Sequence, residues 1–429
     1  MRVSIITYGC KLNQYESELM TERLENEGYV VVNGEVESDI YVINSCVVTN
    51  EATRKVKQQI RRLKKRFPDS KIVVTGCYSQ LFARELLEEE VDLILGNKEK
   101  KRIESIIENV GVFVDRTYWN SDDLDEEYVF SSLSERTRAF IKVQDGCTNV
   151  CSYCTIRYAR GMRIRSKPIE LVVSEILRMV NKDYKEIVIT GLNLGKYGKD
   201  KETSLLNLLK NVVKIKGDFR IRLSSINPED INDELIKFIV NEEKVCNHLH
   251  VPLQSGSTKI LEKMRRNYTQ SDFLNLAYKL RKEDINFSIT TDIMVGFPGE
   301  TQEDFEETLK VVKEVMFSKV HTFRYSDRPN TLAYKMENKV PGNVKKERAI
   351  ELDKFSKEVA KEYRKRLVGK STKVIIESCK NKIYKGYDEY YVLHETSRGN
   401  FGNFAYVNIM AVTDEGVISK SYDRKISNQ

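Results

Sequence analysis

The chain has 429 residues, 40% hydrophobic and 31% charged, with a net charge of +7 from 71 basic and 64 acidic side chains. That length predicts two to four domains, each burying its own core. No run approaches the roughly 20 apolar residues of a membrane span, and 7 prolines with 21 glycines exclude collagen-like and disordered chains. The opening Met1-Arg2-Val3-Ser4-Ile5 reads as a strand rather than a secretion signal. Eight cysteines without such a signal argue for a reducing cytoplasm and against a disulfide framework.

Val3–Tyr8, Asp39–Ser45 and Lys71–Gly76 read as short buried strands, and Glu16–Gly28 and Asn50–Phe67 as helices, the second capped by Thr49 or Asn50. Alternating strand and helix predicts a doubly wound parallel sheet, in which functional groups gather beyond the carboxyl ends of the strands. Cys10, Cys46 and Cys77 each fall just past such an end. The acidic stretch Asp122–Glu127 lacks periodicity and marks a linker over 117–135.

From 139 the alternation resumes. Strands are predicted at Ala139–Val143, Glu186–Thr190, Arg220–Ser225, His248–Leu253, Phe287–Val295 and Val320–Tyr325, with helices that include Ile169–Asn181, Glu229–Val240 and Glu303–Val315. Six β-α repeats suit a partial barrel, short of the eight-fold closed form. A helix over Asn343–Leu367 closes this region. Strands at Lys373–Glu377, Tyr390–Leu393 and Tyr406–Ile409 then predict a small all-β barrel, a surface that often grips RNA. The fold class is thus α/β: a doubly wound sheet (1–116), the linker, a partial (β/α)6 barrel (136–366) and a small β-barrel (367–429).

Cys147-Thr-Asn-Val-Cys151-Ser-Tyr-Cys154 is the sharpest chemical signal. Three thiolates on one loop hold three corners of an iron–sulfur cube and leave one iron open for a substrate or cofactor. Structural zinc is the bland alternative, but zinc wants a fourth ligand and no Cys or His lies near in sequence. For Cys10, Cys46 and Cys77 the bland alternative is three separate packing thiols. Cys246 and Cys379 belong to no motif and read as packing thiols.

The Cys-x3-Cys-x2-Cys loop after the first barrel strand, with Tyr153 before its last cysteine, resembles the radical S-adenosylmethionine (SAM) superfamily. There the open iron binds SAM, and one electron cleaves it to a 5′-deoxyadenosyl radical that abstracts hydrogen. Gly9-Cys10-Lys11-Leu12-Asn13-Gln14, Asn44-Ser45-Cys46 and Thr75-Gly76-Cys77 resemble the amino-terminal motifs of the methylthiotransferases. In order along the chain, Val143–Cys147, Arg160-Gly161, Gly191–Gly198, Leu223–Ser225, His250–Gly256 and Asp292–Glu300 match too. The carboxy-terminal part resembles a TRAM module, best at Gly386–Tyr390, and Arg157 departs from the family's usual proline.

The resemblance implies two [4Fe-4S] clusters and SAM. Cys147, Cys151 and Cys154 would hold the radical-generating cluster, and Cys10, Cys46 and Cys77 an auxiliary cluster that carries sulfur. Tyr153, Gly191, Asn193, Ser224, Ser225 and Gln254 would lie against SAM, with Gly191 allowing close backbone approach. His250 reads equally as a satisfied barrel residue, and Gly296 and Pro298 as turn formers. Within the family, the pattern around Cys10, Gly191–Gly198 and Tyr325-Ser326-x-Arg328 is most like the branch that adds a methylthio group to C2 of N6-threonylcarbamoyladenosine at position 37 of tRNA. Isopentenyl-adenosine in tRNA or a ribosomal-protein aspartate are the alternative substrates. A non-catalytic, zinc-bearing RNA-binding protein is the alternative of another class.

Eight basic residues and no acid lie between Arg54 and Arg66, and Arg157–Lys167 adds Arg160, Arg163 and Arg165, again without an acid. Such runs are usually solvated faces. Both begin shortly after cysteines of the two sets, which predicts a tRNA backbone laid across the pocket. The remaining expectations are a one-electron reductant of flavodoxin or ferredoxin type, no membrane, and a monomer.

Overall fold

Strands β1 (Arg2–Thr7), β2 (Val30–Asn33), β3 (Ile40–Ser45), β4 (Lys71–Gly76), β5 (Leu93–Leu95) and β6 (Gly111–Phe113) form one parallel sheet in the order β2-β1-β3-β4-β5-β6. The computed structural model describes residues 1–117, 120, 124 and 137–422. The predicted linker therefore lies, apart from 117, 120 and 124, outside the described residues. Strand β3 is buried along its whole length, which is why it reads as an unbroken apolar run with helices covering both faces. Sequence reasoning found β1, β3 and β4, the three central strands. It missed β2, β5 and β6, which are short and lie to either side of them. The first helix, Lys11–Asn26, starts five residues earlier than predicted, with Cys10 in extended conformation at its amino end. The next, Asn50–Arg66, is capped by Thr49, whose side chain accepts from the Ala52 amide at 3.1 Å.

Strands β7 (Arg138–Asp145), β8 (Arg165–Ser166), β9 (Glu186–Gly191), β10 (Arg220–Leu223), β11 (His248–His250), β12 (Ser288–Val295) and β13 (Lys319–Arg324) build the second unit. β7, β9 and β10 pair in parallel, as do β11, β12 and β13. Parallel bridges at Ile221–Val245 and Ser225–His250 join the two groups into a six-stranded half barrel. The short β8 runs antiparallel along the outer edge of β7. All six predicted barrel strands are present, and the helix predicted at Ile169–Asn181 has those bounds.

A long helix, Gly342–Lys365, leads to a closed five-stranded barrel of β14 (Ser371–Lys380), β15 (Ile383–Tyr387), β16 (Leu393–Thr396), β17 (Phe404–Val412) and β18 (Val417–Ser421). The strand predicted at Tyr390–Leu393 begins only at Leu393, because Tyr391 takes the left-handed conformation, with φ of 62°.

This small barrel docks on the amino ends of the half barrel. Arg220 donates to the carbonyls of Lys373 and Tyr387 at 2.8 Å each, and Arg222 to that of Asp388 at 2.7 Å. Arg138 pairs with Glu377 at 2.6 Å and lies over the stacked rings of Tyr387 and Tyr391. Tyr391 also meets the His248 ring at 5.0 Å. The three arginines converge on the fully buried Glu186. Burial opposes its ionisation, but Arg222, Arg220 and Arg138 outweigh that and hold its carboxyl well below the usual range. The segment that best matches a TRAM module, Gly386–Tyr390, is thus turned in part toward the half barrel.

Candidate functional site

Cys10, Cys46 and Cys77 follow the carboxyl ends of β1, β3 and β4, which are adjacent in the sheet, so residues far apart in sequence share one edge. Gly76 has φ of 101°, and a Cβ there would lie 2.4 Å from the Ser45 carbonyl oxygen. Only glycine lets β4 turn straight into the helix Cys77–Leu87. Burial first, and then the neighbouring Cys77, push the Cys46 thiol up to about 11. Arg160 donates through Nε to the Cys77 sulfur at 3.3 Å.

The second set sits on the loop after β7. Gly146 has φ of 78°, and a Cβ on it would lie 1.9 Å from the Arg163 carbonyl oxygen, so the Asp-Gly-Cys turn excludes any side chain there. The loop is pinned by Ser152, whose amide donates to the Met264 carbonyl at 3.0 Å and whose hydroxyl donates to that of Lys263 at 2.8 Å. Tyr153 packs edge-on against Phe297. Arg266 donates to the Cys151 sulfur at 3.2 Å and to Asn227 Oδ1 at 2.7 Å. Asn227 in turn donates to Asn193 Oδ1 at 2.9 Å, and the Asn193 amide stands 3.8 Å from the Cys147 sulfur. Burial, then Cys151, push the Cys154 thiol up to about 12. At neutral pH Cys46 and Cys154 therefore keep their protons until a metal displaces them.

Among the described residues, no three His, Cys, Asp or Glu side chains converge as a single metal ion requires. Within each trio the thiols lie near enough to act on one another's charge, Cys46 with Cys77 and Cys10, and Cys154 with Cys151 and Cys147, the donor set of a multi-iron group held at three corners.

One cavity of about 150 Å³ joins the two loops. Val48 and Thr49, just past Cys46, line it with Tyr153, Cys154, Gln254, Asp292, Arg324 and Ser326. Of the residues expected against SAM, Tyr153 and Gln254 line this cavity, and Asn193 is tied to the cluster loop. Gly191, Ser224 and Ser225 stay on the strand ends outside it. A Cβ on Gly191 would meet the Gln144 side chain at 3.0 Å, so an internal contact already excludes a larger residue. The Ser224 hydroxyl is buried without a hydrogen-bond partner. His250 is satisfied by Thr290 at 3.0 Å and Asp292 at 3.2 Å. Gly296, at φ of 74°, shapes a turn in which its amide meets Glu300 at 2.8 Å.

The basic runs differ from expectation. Arg160 and Arg165 are buried, the first against Glu16 and Asp145 and the second beside Asp145. On the helix Asn50–Arg66, Arg54 pairs with Glu51, Lys57 with Glu85, Arg61 with Glu89, and Arg62 with Glu35. The acids that neutralise this run come mostly from other elements, so a run without acids in sequence is not without them in space. Cys246 is buried as expected, whereas Cys379 is exposed on β14 and packs against no core. Sequence reasoning missed Arg266, Asn227 and the ion-pairing role of Glu16, and it placed Arg160 in a basic run facing RNA rather than against Glu16 and Cys77. Arg266 and Asn227 carry no local signal that ties them to a cysteine.

Residues 2–96 match Uncharacterized protein family UPF0004, and residues 141–312 match the Radical SAM superfamily. The threonylcarbamoyladenosine tRNA methylthiotransferase MtaB of Thermotoga maritima is 49% identical, over 97% of this chain and 96% of its own. The chain belongs to the radical SAM methylthiotransferase family. Another member, the MtaB of Bacillus subtilis, is 36% identical over 95% of this chain and 93% of its own. The tRNA-2-methylthio-N(6)-dimethylallyladenosine synthase of Clostridium novyi is 37% identical over 94% and 90%. The radical SAM methyltransferase TsrM of Kitasatospora setae, solved with cobalamin and a [4Fe-4S] cluster, shares the fold at TM-score 0.57 and 16% identity, covering 78% of this chain and 77% of its own. As a radical SAM methylthiotransferase, the chain takes SAM and a [4Fe-4S] cluster. No helix among the described residues is long and apolar enough to cross a membrane.

Proposed function

We propose that this chain is the enzyme that adds a methylthio group to C2 of N6-threonylcarbamoyladenosine at position 37 of tRNA. The observation that carries the substrate is the 49% identity, across nearly the whole of both chains, to a methylthiotransferase named for threonylcarbamoyladenosine; the relative named for dimethylallyladenosine stands at 37%. Cys147, Cys151 and Cys154 hold one cluster, and Cys10, Cys46 and Cys77 a second. Those cofactors and SAM, when bound, supply the hydrogen abstraction and the sulfur and methyl group to be added.

The chain's own residues prepare the site. Arg266 and Arg160 each donate to one sulfur of a trio and so hold that ligand in position. Asn193 and Asn227 fix the side of the pocket next to Cys147. Tyr153 and Phe297 wall off water, which a radical site requires. Working parts at 1–116, 136–366 and 367–429, a cytoplasmic monomer, and a flavodoxin- or ferredoxin-like electron donor belong to the same reading.

Two measurements test it. Anaerobic protein should carry about eight irons, falling to about four in Cys10→Ala and in Cys147→Ala. Deleting the gene should abolish 2-methylthio-N6-threonylcarbamoyladenosine in tRNA hydrolysates and leave its unthiolated precursor. Loss of the isopentenyl-type product instead would move the enzyme to the other RNA branch.

A further inference from the structure

The cavity between the two cysteine loops is lined by a cation with no partner. Arg324 ends β13, is exposed, and lines the cavity with Thr49, Gln254, Asp292 and Ser326. Among the described residues no acid lies within ion-pair distance of its guanidinium. Glu51 feels its field but is engaged by Arg54 at 2.7 Å and Lys55 at 3.8 Å. Asp292, the acid of the cavity wall, faces His250. Arg160 is committed to Glu16 and Arg266 to Cys151 and Asn227. Arg328, whose charge reaches Cys46, is buried with two guanidinium nitrogens unpartnered among the described residues, but it does not line this cavity. Beside Arg324, the Ser326 hydroxyl is buried without a hydrogen-bond partner.

We propose that Arg324 receives the carboxylate of the threonylcarbamoyl group and so selects an anionic N6 substituent on the substrate adenosine. The inference rests on the function proposed above. The two substituents named among the relatives differ in the chemistry this cavity reads. A threonylcarbamoyl group ends in a carboxylate beside a hydroxyl, whereas a dimethylallyl group is hydrocarbon. A carboxylate makes charge-assisted hydrogen bonds to a guanidinium, and the Ser326 hydroxyl adds a neutral one. A hydrocarbon offers neither, and it covers Arg324 without compensating the water removed. The same contact that attracts one substituent therefore rejects the other.

The test uses reconstituted holoenzyme and fluorescent anticodon stem-loops carrying threonylcarbamoyl-A37, dimethylallyl-A37 or unmodified A37, read by anisotropy. Wild type should prefer the first. Arg324→Leu should weaken that complex about tenfold, as the loss of one charged hydrogen bond predicts, and leave the other two within twofold. Arg324→Lys should recover part of the preference. Arg324→Gln carries the same expectation as the leucine variant if that one does not fold, with iron content and thermal midpoint as folding controls. Full retention of the preference in Arg324→Leu overturns the inference, as does an equal loss for all three loops, which would mark a phosphate contact. A wild-type enzyme that neither prefers nor methylthiolates the threonylcarbamoyl loop overturns the function itself.

Discussion

Arg160, the last residue of the short helix Ile156–Arg160 that follows Cys154, reaches the Cys77 sulfur at 3.3 Å, so one side chain of the half barrel touches a cysteine of the amino-terminal sheet. The same guanidinium grips both oxygens of Glu16 and stands 3.3 Å from Asp145, two residues before Cys147. Lys100 and Lys142 complete the shell around Glu16. Burial opposes the Glu16 charge, but Arg160, Lys100 and Lys142 more than offset it and hold the carboxyl well below its usual range.

Arg160→Met should therefore disturb both sites from one position. Removing one partner of a buried ion cluster costs about 3 kcal/mol, measurable as a lower urea midpoint. Iron lost on anaerobic desalting should come first from the Cys77 site, seen by comparing Arg160→Met alone with Arg160→Met combined with Cys147→Ala. Equal retention by the variant and wild type would contradict this.

Gly146→Ala should be more selective. The added methyl meets the Arg163 carbonyl and forces an unfavoured backbone, a strain of about 1–3 kcal/mol. Iron should fall by about half, with what remains lost on adding Cys10→Ala. A Gly146→Ala protein with full iron would show that the turn relaxes elsewhere.

Glu186 makes the contact between the two barrels sensitive to acid. Its folded pKa lies below the unfolded value of about 4.3. Its stabilisation is thus complete above that value and is lost as pH falls toward the folded pKa. Glu186→Gln should unfold at about 3–5 kcal/mol lower stability at pH 7, because three arginines lose their carboxylate. Below pH 4 its stability should fall less steeply than that of wild type. Parallel curves for the two proteins would contradict the assignment.

Cys379 should react with iodoacetamide in native protein, while Cys246 should react only after denaturation. Cys379→Ser should leave iron content unchanged. Peptide mass spectrometry reads both.

The central strands and the cysteine spacing were legible because burial on both faces writes itself as unbroken apolar runs, and a tight ligand loop is local. The short outer strands β2, β5 and β6 were not, since four or fewer residues give no period to read. Charge misled for a different reason. Arg160 and Arg165 look like an exposed basic run, yet their partners Glu16 and Asp145 are brought in by the fold. Arg266 and Asn227 lie far from either cysteine motif in sequence, and no local pattern ties them to Cys151 or Cys147.

The turn bearing Tyr387 and Tyr391 has a consequence for how the molecule is built. It sits against the first residues of β7, β10 and β11, at the opposite ends of the barrel strands from the cysteine loop. The small barrel thus serves as the stopper of the vessel as well as any handle it offers to RNA. A chain cut before residue 371 would strip Arg138, Arg220 and Arg222 of their outer partners and open the buried Glu186 cluster to water. Such a truncation would not be a smaller enzyme with a looser grip on tRNA. It would be a leaking one.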